Sequence, residues 1–139
     1  AMKRNLSVLL TFTSMSLQLL SITARGHHSS TPFYDAEQTV EIQGIVTNWA
    51  FVNPHPFLYV EVAADDGKTQ EWIIEFAGPV RLQKAGWSNE TFQPGEMITA
   101  VGNPSKAEGT YGMFSPRITR EDGSVIDGIG NLSETGLPR

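Results

Sequence analysis

The chain has 139 residues, of which 40% are hydrophobic and 18% charged; this is enough apolar material for one folded domain and excludes a disordered acidic chain. Three of the 10 basic residues precede position 27 and all 15 acidic residues follow it, so residues 27–139 carry a net charge of −8. That charge repels phosphate backbones and anionic lipid, which makes nucleic acid a poor partner. The absence of cysteine excludes disulfides, thiolate metal sites and thiol catalysis.

The first 26 residues have the organisation of a secretion leader. Residues 3–4 are basic, residues 6–22 are apolar with interspersed Ser and Thr, and Ala24 and Gly26 are small residues suited to cleavage. An uncleaved membrane anchor is the alternative, but the hydroxyl side chains dilute the apolar run and make it a poor transmembrane helix. We predict a bacterial protein that is periplasmic or secreted, with no stable membrane insertion after cleavage.

The position of the cut decides which nitrogen ligands the mature N-terminus offers. Cleavage after Gly26 makes His27 the first residue, and its α-amine and ring nitrogen can then chelate one ion, as in a copper histidine brace. Cleavage after Ala24 places His27 third, which gives the square of four nitrogens suited to Cu(II) or Ni(II). Either cut yields a copper ligand set, and an uncleaved leader yields neither.

Alternating apolar and polar residues after position 37 predict strands. Residues 38–49 form the first strand, in which Gly44 allows a bulge or sharp coiling. The proline-stiffened loop 51–56 leads to a second strand at 57–63. An Asp-Asp-Gly hairpin turn then leads to a third strand at 69–76.

The pattern changes after the third strand. Gly78 and Pro79 open a short helix at 80–85, and Gly86 ends it. Further strands are predicted at 97–102, 113–120 and 124–129.

Three strands, one short helix and two or three strands follow one another in the order of an OB-fold, a small Greek-key barrel. A β-sandwich with a lateral helix is the competing architecture. We therefore predict a mostly β protein, an OB-like barrel of five or six strands with the helix between strands three and four. Its segments are an N-terminal signal helix at 1–26, an extended arm at 27–37, the barrel at 38–129 and a loose tail at 130–139.

The chain has three histidines, and they predict a metal site. His27 and His28 begin the arm, and His55 lies in the loop after strand one. Neutral imidazole is a common ligand of copper, zinc and nickel, so an arm that folds back onto the rigid Asn-Pro-His-Pro loop creates a site for Cu, or for Zn or Ni. The alternative is that His27 and His28 are solvent-exposed and His55 is a turn residue.

On an OB-fold, the loops after strands one and four flank the usual binding face. In this chain they are residues 51–56 and 103–112. We assign to this face Asn53, Phe57, Tyr111 and Met113, for an envelope protein partner or a small ligand bound without metal. Met113 either helps to hold Cu(I) or fills a gap in the core. Several aromatic residues either line the face or pack inside, namely Trp49, Phe51, Phe57, Tyr59 and Trp72.

No complete catalytic constellation is present. Glu71 and Glu75 share one face of strand three but lie roughly 13 Å apart, which exceeds the carboxylate separation of glycosidases. No serine has a Gly-x-Ser-x-Gly context. We expect a protein that is not an enzyme; a histidine-brace oxidase is the enzymatic alternative.

A series of short motifs occurs in a characteristic order, namely His27-His28-Ser29, Phe33-Tyr34-Asp35, Gly44, Asn53-Pro54-His55, Trp72 with Glu75-Phe76, Gly86-Trp87 and Pro94-Gly95-Glu96. With these motifs the chain resembles a family of small exported bacterial proteins of unknown function. The resemblance covers residues 27–126 and implies an envelope location and a small β-barrel, and it implies no activity. Arg25 and Gly26 stand between the family's usual Ala and the histidine pair, which leaves the mature N-terminus open.

Overall fold

A computed structural model describes residues 32–127. The predicted signal helix at 1–26, the first five residues of the arm and the tail at 130–139 lie outside that range. No helix within 32–127 is long and apolar enough to span a bilayer. The elements in chain order are β1 (Val40–Ala50), β2 (Phe57–Ala63), β3 (Thr69–Glu75), α1 (Pro79–Lys84), β4 (Met97–Pro104), β5 (Gly112–Arg120) and β6 (Val125–Asp127).

The strands form one sheet in the order β3-β2-β1-β4-β5-β6, and β3 also pairs with β5. That additional pairing is parallel, whereas all sequential neighbours in the sheet are antiparallel. It closes β1 to β5 into a barrel, with α1 between the third and fourth strands. The predicted small barrel is therefore confirmed, and the competing β-sandwich is wrong because a sandwich keeps two separate sheets.

The alternation in β1 sets which side chains enter the barrel. Ile42 and Val46 are buried, whereas Glu41, Gln43 and Ile45 point outward, as the sequence predicts. Leu58, Val60, Ile74, Ile98 and Ile118 complete the interior from the other strands. Burying each such side chain contributes ~1.5–3 kcal/mol relative to leaving it in water.

Gly44 lies where β1 changes partners. Residues 40–45 pair with β4, and residues 45–50 pair with β2. A Cβ atom at Gly44 would lie 2.3 Å from the carbonyl oxygen of Glu61, so only glycine allows this close approach of β2. The shift in pairing register lies between Val46 and Asn48, so the bulge predicted at Gly44 occurs further along β1.

An aromatic cluster closes the end of the barrel next to α1. Trp49 lies in its centre, and its indole Nε1 donates to the carbonyl oxygen of Ser88 at 2.8 Å. The ring centroid of Trp49 is 5.1–6.1 Å from four other rings, those of Phe51, Phe76, Trp87 and Phe92. These contacts fix α1 and the following turn against β1, close to the loop that carries His55.

Candidate functional site

The loop between β1 and β2 holds His55 between two prolines. Pro56 is fully buried, and its carbonyl oxygen accepts a hydrogen bond from Phe76 N at 3.1 Å. On the other side, the carbonyl oxygen of Pro54 lies 3.6 Å from the position of a Cβ atom on Gly78, at the start of α1. The buried Pro56 and its hydrogen bond to Phe76 therefore hold the loop next to the end of β3.

His55 is oriented by a carboxylate. Its Nδ1 hydrogen bonds Oε1 of Glu75, which lies 20 positions further along the chain. An ionised carboxylate only accepts hydrogen bonds, so Nδ1 carries a hydrogen, and in the neutral imidazole the lone pair is then on Nε2. Nε2 has no hydrogen-bond partner among residues 32–127. The side chain of His55 is 30% exposed, so an ion can approach that lone pair from solvent.

Tyr34 binds the other oxygen of the same carboxylate. Its hydroxyl donates to Oε2 of Glu75 at 2.6 Å, and its ring stacks on Phe114 with the centroids 5.3 Å apart. Burial raises the pKa of the Tyr34 hydroxyl well above its usual range, and the hydrogen bond and negative charge of Glu75 act in the same direction. The hydroxyl therefore stays protonated and keeps donating to Glu75 at neutral pH.

The arm around Tyr34 is attached to the barrel by its backbone. Asp35 N donates to Pro104 O at 2.9 Å, and Lys106 N donates to Phe33 O at 2.9 Å, on either side of an antiparallel bridge between Tyr34 and Ser105. This part of the arm therefore lies along the loop that follows β4, with the Tyr34 side chain against Glu75.

An open pocket of about 600 Å³ lies between this arm and the loop after β4. Glu75 and Tyr34 form part of its wall, together with Ser105 and Lys106. Phe33 stands at the pocket with 68% of its surface exposed. Space for a ligand or for an incoming chain segment is therefore present beside the Tyr34–Glu75 pair.

His27 and His28, the other two predicted metal ligands, lie outside the described residues, and their prediction stands as made. Between residues 32 and 127, no group of three or more His, Asp or Glu side chains is arranged to hold a metal ion. A metal site on His55 would therefore need ligands from outside this range.

The residues predicted for a ligand face occupy different environments. Phe57 is half-buried on β2, and Tyr111 is 43% exposed with its ring 5.7 Å from that of Trp72. Asn53 is exposed and lines a separate surface pocket of about 490 Å³ beside α1. Met113 is fully buried in the core and is not part of a surface, so its assignment to the ligand face is wrong. It fills the interior instead, which is the alternative role given for it above.

The strand aromatics divide between the two roles that the sequence left open for them. Trp49, Phe51 and Trp72 pack against the buried core. Phe57 and Tyr59 alternate with the buried Leu58 and Val60, so they point outward from β2.

Sequence reasoning missed Glu75 as the partner of His55, and Tyr34 as the residue that links the arm to it. Glu75 was considered only with Glu71, as an acid–base pair. The available signal was the order of the short motifs, because Phe33-Tyr34-Asp35, Asn53-Pro54-His55 and Glu75-Phe76 each supply one member of this cluster.

No curated protein and no solved structure matches the chain. A family model does match, over residues 16–114, a range that includes the arm, the His55 loop and Glu75. The resemblance inferred from the motifs is therefore confirmed: the chain belongs to the family of unknown function DUF6152.

Proposed function

We propose that this protein is an exported bacterial metal-binding module that holds one copper-type ion between His55 and the start of its N-terminal arm. One observation carries the proposal: Glu75 bonds His55 through one oxygen and Tyr34 of the arm through the other. The arm and the imidazole thus meet at a single carboxylate.

His55 supplies the fixed ligand. Histidines that bind metals commonly donate their second ring N–H to a carboxylate, which fixes the ring orientation and raises the basicity of the ligating nitrogen. Glu75 has that role toward Nδ1, and the side chain of His55 remains 30% exposed. A histidine in an ordinary turn needs no such carboxylate.

His27 and His28 supply the remaining ligands. His28 is six residues before Tyr34, and an extended chain covers at most ~3.3–3.6 Å per residue, so the arm is able to span about 20 Å from its attachment point. That reach is ample for the pair to meet His55 across Glu75. The α-amine adds a further nitrogen when the leader is cut after Gly26.

The ligand set favours copper over the alternatives. Imidazole and amine nitrogens suit Cu(II), Ni(II) and Zn(II), whereas Ca²⁺ takes oxygen ligands. Among these ions Cu(II) forms the most stable complexes with a given nitrogen site. The net charge of −8 on residues 27–139 also raises the local concentration of cations, which suits carriage or buffering of a metal.

The test uses protein recovered after export, with its intact mass measured to establish the N-terminus. Titration with Cu(II) should produce a visible d–d absorption band at one equivalent. His55→Ala should weaken binding by tenfold or more, whereas Asn53→Ala in the same loop should leave it unchanged. Absence of the band, or equal affinity in His55→Ala, would refute the proposal.

A second variant separates a shared site from one built only on the N-terminus. Replacing His27 and His28 together by Ala should also weaken Cu(II) binding by at least tenfold. If this double variant still binds as the wild type does, the arm takes no part. If it abolishes binding while His55→Ala has no effect, the ion is held by the chain start alone and the barrel takes no part.

A further inference from the structure

The outer surface of β1, β2 and β3 carries exposed apolar side chains. Ile45 is 44% exposed and Ile73 is 39% exposed. Phe57 and Tyr59 are half-buried on the same outer side, and neither belongs to the set that packs against the core. Tyr59 lies directly opposite Ile73, so these two side chains form one continuous apolar surface across two strands.

Two carboxylates border this apolar surface. Glu61 lies directly opposite Glu71 on the outer side, and both side chains are exposed. Neither forms an ion pair with another of residues 32–127. Like charges in directly opposite positions destabilise an antiparallel sheet. A cation placed between the two carboxylates would remove that repulsion.

The same row of the sheet continues onto β1. Ile45 is the cross-strand neighbour of Glu61, so one row combines an exposed apolar side chain with two carboxylates. The next outward row contains Tyr59 and Ile73, and the row after it contains Phe57 and Glu75. Negative charge therefore stands at both ends of an apolar centre.

We propose that this outer face of β1 to β3 binds a basic segment of a partner protein in which an Arg or Lys and an apolar residue lie two positions apart. The cationic side chain lies between Glu61 and Glu71, and the apolar side chain lies on Tyr59 and Ile73. This binding is separate from the proposed metal function and does not depend on it.

The spacing of the rows favours an extended segment. Outward rows on a strand are two residues apart, or about 6.6 Å. Side chains on one face of an extended peptide have the same separation, so a cationic and an apolar residue at positions i and i+2 match the two rows. Arg suits both neighbours, since its guanidinium binds carboxylates and also stacks on an aromatic ring.

The charge of the domain argues for a protein segment over other polymers. Residues 27–139 carry a net charge of −8, which repels nucleic acid and anionic lipid but attracts a basic peptide. A second copy of the chain carries the same negative charge, so self-association through this face would bring the carboxylates of both copies together.

The test measures fluorescence anisotropy of labelled probe peptides with the exported protein. One probe repeats Arg-Ser-Leu-Ser twice, so that Arg and Leu alternate along one face of the extended chain, and the other has Glu in place of each Arg. The Arg probe should bind equally in the presence of a chelator and of Cu(II), with affinity that decreases as salt increases. The Glu probe should not bind.

Variants identify the face. The pair Glu61→Gln and Glu71→Gln should weaken binding of the Arg probe by tenfold or more, and Ile73→Ser should weaken it by about fivefold. The pair Glu90→Gln and Glu121→Gln removes the same net charge elsewhere and should change binding by less than twofold. Glu71→Gln alone should raise Tm by about 2 °C because it removes the like-charge repulsion. Weaker binding together with higher stability cannot come from damage to the fold.

Three results would overturn the proposal. The first is equal affinity in the Glu61 and Glu71 double variant and the wild type. The second is an equal loss in the control pair, which would show attraction by net charge alone. The third is a dimer in sedimentation experiments that Ile73→Ser dissociates while the Arg probe fails to bind, since a second copy would then cover the face.

Discussion

The hydroxyl of Tyr34 donates to Glu75 across 41 positions of sequence. This bond joins the arm that precedes the barrel to the last residue of β3. It also brings the arm into contact with the same carboxylate that bonds His55. The contribution of this bond to stability is therefore the first quantity to measure.

Tyr34→Phe should lower the free energy of unfolding by about 1.5–3 kcal/mol, the usual range for a hydrogen bond to a charged group. The phenyl ring preserves the stacking on Phe114, so the loss reports the hydroxyl. Urea unfolding gives the value. Tyr111→Phe is the matched control, since its hydroxyl accepts only an exposed hydrogen bond from Gln70, and it should cost less than 0.5 kcal/mol. Equal costs for the two variants would contradict a special role for Tyr34.

Alkaline pH should weaken the fold through the same tyrosine. The pKa of Tyr34 is raised by burial and by Glu75, so the folded chain holds this proton more tightly than the unfolded chain does. The resulting stabilisation is complete below about pH 10 and is lost as pH rises above that value. Unfolding curves between pH 8 and 11.5 measure the decline.

Tyr34→Phe should flatten this decline, because the residue that links proton release to unfolding is gone. Absorbance at 295 nm provides a second measurement, in which the folded wild type and Tyr34→Phe should show the same ionisation step up to pH 11. A wild-type step larger by one tyrosine in that range would contradict the raised pKa.

Glu75→Gln should weaken Cu(II) binding by about 10–100-fold, the usual effect of losing the carboxylate behind a ligand histidine. The amide is similar in shape but lacks the charge that orients His55. Glu71→Gln, on the same face of β3, provides the control and should leave the affinity unchanged. Isothermal titration of both variants makes the comparison, and equal affinities would show that Glu75 does not support the ligand.

Gly44→Ala should destabilise the barrel by about 3 kcal/mol, at the upper end of the cost of overpacking. The added methyl group would overlap the carbonyl oxygen of Glu61, which belongs to the backbone of β2 and cannot rotate away. Gly78→Ala is the control, since its nearest neighbour would lie at 3.6 Å, and it should change stability by less than 1 kcal/mol. Thermal unfolding of the two variants distinguishes them.

Much of the fold could be predicted because local signals agreed with the tertiary structure. Alternation placed β1, and Gly78 with Pro79 placed the helix within one residue of its start. The pairing irregularity between Val46 and Asn48 could not be predicted, since it arises where one strand serves two neighbours at once. The sequence of β1 does not show where its pairing changes from β4 to β2.

Less of the site could be predicted. His55 was identifiable because the chain has so few histidines, and its proline neighbours indicated a rigid loop. Its carboxylate partner was not identifiable, because Glu75 is brought next to the His55 loop by the register that pairs it with Phe57. That register cannot be read from the sequence of β2 or of β3 by itself. The sequence places Met113 at the edge of a loop and does not show that its side chain points into the barrel. Its inward direction follows from the pairing of β5 with β3 and β4.

Closure of the barrel also restricts how other molecules are able to bind it. Each of β1 to β5 pairs with at least two other strands, so much of their backbone N–H and C=O is already hydrogen bonded, whereas the three-residue β6 pairs with β5 alone among the described residues. Extended peptides often bind by adding a strand to an open sheet, and this route is blocked along most of the barrel. Recognition must therefore depend on side chains, and the same lack of open borders protects the protein from strand-to-strand aggregation.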